Sequence, residues 1–142
     1  DNMALMAEQR GVKVHRAYAE KLPFENQSFD FAIMVTTLCF VRDVSAALSE
    51  AHRILRPGGC FIAGIIDRES PLGRQYEAKK KGHAFYNDAH FLSTAEATAL
   101  MQKAGFHTFS YWQTLFHPEK EQKENPETGY GKGSFAVIKA FK

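Results

Sequence analysis

Residues 29–66 constrain the fold more than any other part of the chain. FDFAIMVTTLCFV, residues 29–41, is nearly continuously apolar and rich in residues that favour strands. A strand of that composition is covered on both faces, as in a parallel sheet flanked by helices. CFIAGII, residues 60–66, reads the same way. Between the two, Val44, Ala47, Leu48, Ala51, Ile54 and Leu55 recur at helical spacing, with Asp43 placed to cap the helix. Arg56, Pro57, Gly58 and Gly59 then stop it with a cation and glycines. Strand, helix and strand in that order form a crossover unit with parallel strands.

The remaining elements extend this α/β pattern. Residues 1–10 carry Met3, Leu5, Met6 and Ala7 on a helical period, and Gly11 suits the end of a helix. Val12 and Val14 alternate with Lys13 and His15, which predicts a short strand. A helix is expected over residues 73–81. Ser93-Thr94-Ala95-Glu96 has the spacing of a capping box for a helix that buries Ala97, Leu100, Met101 and Ala104 and stops at Gly105. Residues 106–116 and 134–141 read as two final strands, separated by a long polar segment with two prolines. The expectation is one domain over residues 1–142.

Composition narrows the function classes. The formal net charge is +2, and the run Lys79, Lys80, Lys81 is too short for a nucleic-acid stripe. No apolar run reaches the length of a membrane span. Cys39 and Cys60 lie in apolar surroundings and read as small core residues of a reducing compartment, so a cytoplasmic location is expected.

The candidate chemistry is sparse. GYGKGS, residues 129–134, precedes a strand, whereas a phosphate-binding glycine loop follows a strand and opens a helix. It reads as a flexible turn. His83, Asp88 and His90 match no compact metal-ligand spacing, and no metal is expected. Ser93 is explained by its cap. Asp67 and Arg68 sit just past the second parallel strand, and Thr36 to Leu38 just past the first. In open α/β sheets ligands bind outside these carboxyl ends.

Three segments together carry a resemblance: AEKLPFENQSFDFAIMVTTLCFVRD, EAHRILRPGG and FIAGIIDRES. They resemble class I S-adenosylmethionine-dependent methyltransferases of the small-molecule type, and the resemblance runs over essentially the whole chain. It implies a Rossmann-like sheet, mostly parallel with a terminal antiparallel hairpin, of strand order 3-2-1-4-5-7-6. On that template residues 12–17 are strand 3, and 29–35 and 60–66 are strands 4 and 5. Residues 106–116 and 134–141 are strands 6 and 7. The first two strands, with the glycine-rich cofactor loop, are missing from this stretch and are expected upstream of Asp1. The alternative expectation is that the open edges close by pairing strand 3 beside strand 4 or with a second copy, as a homo-oligomer.

The resemblance implies S-adenosylmethionine as cofactor and a small molecule as methyl acceptor. It places Tyr18, Ala19 and Glu20 at the adenine edge, where many members have Asp instead of Tyr. Thr36, Thr37, Leu38 and Phe40 fall at the methionine end. Asp67, Arg68, Tyr76 and Tyr86 fall in the variable substrate region. No general base is nominated, because a sulfonium methyl group is already electrophilic and alignment with exclusion of water suffices. The contrasting expectation is a non-catalytic member acting through binding or assembly. A nicotinamide dehydrogenase, a third reading, lacks a matching loop in the text.

Overall fold

A computed structural model describes residues 2–80, 82, 86–120 and 122–142. Helix α1 (Asn2–Gln9) ends at Gly11, whose φ of 80° turns the chain. There the Val12 amide donates to the Ala7 carbonyl and the Gly11 amide to that of Glu8, the paired bonds of a Schellman stop. Residues 12–17, expected as a strand, form none: they run as an irregular segment closed by a single bridge between Tyr18 and Lys21. Two alternating valines are too little to hold a strand with no neighbour to pair with. Strand β1 (Phe29–Val35) therefore does not pair with this segment.

β1 lies parallel to β2 (Leu55–Ile66), with α2 (Val44–Ile54) connecting them. Asp43 caps α2 by accepting from the Ala46 amide at 2.9 Å, a contact worth about 1 kcal/mol. β2 begins five residues before the expected start. Leu55 already pairs with Phe29, and the next partners are Phe31 and Cys60, so Arg56 to Gly59 bulge out between them. Gly59 permits this reversal, since a Cβ there would lie 2.8 Å from the Arg56 carbonyl oxygen.

Helix α3 (Pro71–Lys79) starts two residues before the expected position. Ser70 caps it, accepting from the Gly73 amide, and Pro71 occupies the first turn. Lys81, His83 and Phe85 lie outside the described residues. α4 (Thr94–Lys103) carries both bonds of the expected capping box. β3 (His107–Thr114), β4 (Glu127–Thr128) and β5 (Phe135–Phe141) complete a five-stranded mixed sheet in the order β1-β2-β5-β3-β4. β5 is antiparallel to both of its neighbours. The first four positions reproduce the implied order 4-5-7-6. The two-residue β4, paired with Trp112 and Gln113, lies in the segment expected to be without structure.

One face of the sheet carries Phe61, Ala63, Ile65, Ala136, Ile138 and Ala140, all buried in one cluster with Leu48 and Ala51 of α2 and Ala97 and Met101 of α4. The opposite face differs at β1, where the expectation of a strand covered on both faces fails. Phe31, Ile33 and Val35 alternate along the strand and are 72%, 65% and 50% exposed. Full burial of such a side chain is worth about 1.5–3 kcal/mol, so this row is a large uncovered apolar surface.

Candidate active site

The loop before β1 is held to α2 by a charge network. Glu50 accepts from the Leu22 amide at 2.7 Å and is bound by Arg53 through two nitrogens at 2.6 and 2.8 Å. Arg53 also donates to the carbonyls of Phe24 and Leu22 and to Asn26 Oδ1. The Arg53 hydrogen bond is the main reason that the Glu50 carboxyl is lowered to about 2. Pro23 and Phe24 thus sit in a pinned turn, with Phe24 packed edge-on against His15 and Phe29.

The same loop presents the adenine-edge candidates. Glu20 Oε1 accepts from the amides of Arg42 at 2.9 Å and Asp43 at 3.2 Å. Its carboxyl is held below its ordinary range by its own backbone amide first and that of Asp43 next. The carboxylate therefore closes the entry to α2. Tyr18 is exposed, with the Arg42 guanidinium 5.9 Å from its ring centroid. Ala19 is half-buried between them. Tyr18 and Glu20 thus come up against the segment that leaves β1.

That segment begins with a strained residue. Thr36 has φ of +48°, which is rare for a β-branched side chain. Its amide donates to the Gly64 carbonyl at 2.8 Å, and the hydroxyls of Thr36 and Thr37 donate to the Val35 carbonyl. The chain then closes into a short 3-10 turn, Leu38–Phe40. Leu38 is fully buried, whereas Phe40 is 48% exposed.

Beside this turn lies a cavity of about 290 Å3. Thr36, Leu38, Cys39 and Phe40 form one wall, and Ile65 and Ile66 at the end of β2 form its floor. Tyr76, Tyr86, Phe91 and Leu92 close the other side. The His90 amide donates to the Cys39 carbonyl at 2.8 Å and ties the two walls together. The Tyr76 and Tyr86 rings stack at 5.0 Å with 20° between planes. Tyr86 lies at 6.3 Å and 17° from Phe40, and Phe91 tilts against both tyrosines. Burial pushes the Cys39 thiol and the Tyr76 phenol up, so both stay protonated at neutral pH. Among the described residues, none lining this cavity carries a charge.

The structure thus gathers Thr36, Leu38, Phe40, Tyr76 and Tyr86 around one space, and Thr37 does not line it. Asp67 and Arg68 go elsewhere. Asp67 is buried, and its Oδ2 accepts from the Thr94 hydroxyl at 2.6 Å and amide at 3.1 Å, while Oδ1 accepts from the Glu69 amide. Arg68 pairs with Glu96 at 2.7 Å. Sequence reasoning missed Cys39, Ile65, Ile66, Phe91 and Leu92. Ile65 and Ile66 could have been found as the carboxyl end of the second parallel strand. Phe91 and Leu92 had no signal beyond preceding the Ser93 cap. The turn at 129–134 is held by Gln113, whose Oε1 accepts from the amides of Lys132 and Gly133. Among the described residues no group of three potential metal ligands converges.

The donor set suits S-adenosylmethionine on the sides it provides. Neutral hydroxyls, carbonyls and rings face the space beyond β1, and no described cation lines it against a sulfonium.

Comparison with known proteins bears on this geometry. Residues 1–63 match a methyltransferase domain family. The uncharacterised protein MJ1123 of Methanocaldococcus jannaschii is 43% identical over 99% of this chain and 69% of its own length. The ubiquinone/menaquinone biosynthesis C-methyltransferase UbiE of Brucella canis is 30% identical, over 67% of this chain and 42% of its own. The crystal structure of a SAM-dependent methyltransferase of Thermotoga maritima, TM1293, described as a possible histamine N-methyltransferase, superposes with a TM-score of 0.96. It is 53% identical over 100% of this chain and 70% of its own. A Mesorhizobium loti S-adenosylmethionine-dependent methyltransferase, 19% identical, superposes at 0.70 and shares the fold. With this sheet order and these identities, the chain belongs to the S-adenosylmethionine-dependent methyltransferases.

Proposed function

We propose that this chain takes part in methyl transfer to a small-molecule acceptor, at the cavity beyond the carboxyl ends of β1 and β2. The observation that carries the reading is the convergence of Thr36, Leu38, Phe40, Tyr76 and Tyr86 on one partly open space of about 290 Å3. That volume lies at the small end of ligand pockets, which start near roughly 300 Å3. A compact metabolite fits such a space.

Tyr18 to Glu20 and Thr36 to Phe40 would hold the cofactor along the adenine and methionine ends. When bound, it would supply an electrophilic methyl group to the acceptor. The chain's own residues supply position and dryness. Phe40, Tyr76, Tyr86 and Phe91 wall out water, which favours displacement by the acceptor over competing solvation.

The test is label transfer from methyl-labelled S-adenosylmethionine to three pools: small metabolites, RNA and protein. Transfer confined to the metabolite pool is expected. Transfer to RNA or protein contradicts the reading.

A second reading, action through assembly, draws on the exposed row Phe31, Ile33 and Val35. Its occupant would be a second copy pairing along β1. Concentration-dependent sedimentation tests it.

A further inference from the structure

We infer that Asp67, which does not line the cavity, is a positioning residue for it: through Thr94 it fixes where Phe91 and Leu92 stand in the far wall. The inference deepens the methyl-transfer reading and rests on it only for what the cavity holds.

Residues 89–93 form neither helix nor strand. No ladder of backbone bonds holds them, so their place is set by ties to other elements. At one end the His90 amide reaches the Cys39 carbonyl at 2.8 Å, and Lys80 Nζ reaches the Ala89 carbonyl at 3.2 Å. At the other end the Arg68 amide donates to the Leu92 carbonyl at 3.1 Å. Just beyond it, Asp67 Oδ2 accepts from the Thr94 hydroxyl at 2.6 Å and from its amide at 3.1 Å. Phe91 and Leu92 lie between these ties and line the cavity.

Asp67 does more than cap α4. The helix already has a complete box, in which Ser93 Oγ accepts from the Glu96 amide and Glu96 Oε2 from the Ser93 amide. Asp67 adds a tie from the end of β2, 27 residues earlier in the chain. Its own place is fixed independently of α4. Its amide donates to the Ser134 carbonyl at 3.0 Å, its carbonyl accepts from the Ser70 amide and hydroxyl, and its Oδ1 accepts from the Glu69 amide. At 5% exposure, the side chain is an anchored post rather than a mobile surface acid. Buried bonds to a carboxylate are stronger than neutral ones, so this tie is the firm end of the wall.

The tie also stands between two unlike spaces. Ile66 and Leu92 line the apolar cavity. Their neighbours Asp67 and Ser93, with Thr94, line a separate polar groove of about 220 Å3. A wall that loosened at this seam would expose the cavity to water and a carboxylate, and the dryness that favours the acceptor would be lost.

The test is native-state hydrogen exchange on this chain, with a titration of S-adenosylhomocysteine beside it. Asp67→Asn replaces one acceptor oxygen by a donor, so either the Glu69 or the Thr94 amide loses its partner. Thr94→Val removes the hydroxyl bond at nearly constant shape, and Thr94→Ser keeps it. The His90 amide is expected to exchange about tenfold faster in Asp67→Asn and Thr94→Val, and within about twofold of wild type in Thr94→Ser. Ile138→Val, a core change on β5, is expected to leave that amide within about twofold. S-adenosylhomocysteine is expected to bind about fivefold more weakly to Thr94→Val, and as wild type to Thr94→Ser. Where Asp67→Asn fails to fold, the Thr94 pair decides alone. Unchanged His90 exchange in Thr94→Val overturns the inference. So does equal acceleration in Ile138→Val, no recovery in Thr94→Ser, or a faster His90 amide with unaltered nucleoside affinity. If the wild-type chain shows no response to S-adenosylhomocysteine, the methyl-transfer reading falls, and the exchange pattern alone decides the role of Asp67.

Discussion

Arg53 donates to the carbonyls of Leu22 and Phe24 while its side chain grips Glu50, and this joins the loop before β1 to helix α2. The segment Leu22-Pro23-Phe24 is therefore a clamped turn, and the residues just before it, Tyr18 to Glu20, are carried to the edge of the site by that clamp. Glu50 is the hinge of the arrangement, since it receives both Arg53 and the Leu22 amide.

The clamp has a pH signature. The Glu50 carboxyl lies at about 2 in the folded chain against 4.5 for an ordinary glutamate. A depressed folded value contributes stability that is complete above the ordinary value and disappears as pH falls through the folded one. The Glu50→Gln variant is therefore expected to be less stable at pH 7. The difference is on the order of 1–2 kcal/mol after allowance for the partly exposed Arg53. The gap should narrow between about pH 4.5 and 2. Urea midpoints of both proteins across that range check it, and a gap that stays constant down to pH 2 contradicts it.

Gly73 sets the approach of α3 to the loop after β2. A Cβ there would fall inside the contact distance of the Asp67 carbonyl oxygen and 2.8 Å from the Arg68 Cα. Helix propensity alone favours alanine by about 1 kcal/mol, but overpacking against backbone costs about 1–3 kcal/mol. Gly73→Ala is thus expected to destabilise, and to disturb the bond between Asp67 and Thr94. Denaturant unfolding together with the Thr94 amide shift reads both effects. A more stable Gly73→Ala protein would show that the loop yields freely.

Thr36 stores strain beside the cavity. Its positive φ costs on the order of 1 kcal/mol or more for a β-branched residue. Asparagine tolerates this region better, so Thr36→Asn is expected to raise stability by about 0.5–1 kcal/mol. The same change alters the cavity wall and is expected to weaken S-adenosylhomocysteine binding. Thermal unfolding and an S-adenosylhomocysteine titration, run on one preparation, measure the two opposed effects.

The bare row on β1 predicts association. Ile33→Lys places a charge at its centre, a device that keeps exposed edge strands apart. The variant is expected to sediment as a smaller species at high concentration and to leave the core unchanged, because Ile33 lies on the face away from α2 and α4. Identical sedimentation of the two proteins would mean that the row takes no part in self-association.

Where the chain's own pattern carries strong local signals, they were legible. The apolar run at 29–35, the Ser93 to Glu96 box and the parallel pair across α2 follow from periodicity and capping chemistry. Residues 12–17 show the limit. Alternating valines predict a strand only if a neighbour pairs with them, and pairing is a tertiary fact. The early start of β2 was hidden for the opposite reason, since Arg56 to Gly59 look like an ending but are a bulge between paired residues. At the site, Thr36, Leu38 and Phe40 could be named from their place after β1. Phe91 and Leu92 could not, because only the fold of residues 86–92 over the Cys39 carbonyl brings them there. Asp67 and Arg68 had the right position at a strand end, but helix α4 engages both through Thr94 and Glu96.

The most direct measurement of the central claim is nuclear magnetic resonance mapping of S-adenosylhomocysteine on this chain, at concentrations into the millimolar range that weak binding requires. The account predicts concerted amide shifts in residues 18–20 and 36–40, with the Arg42 and Asp43 amides that meet Glu20 moving with them. Shifts confined to other parts of the sheet, or none at saturation of the nucleoside's solubility, would contradict it.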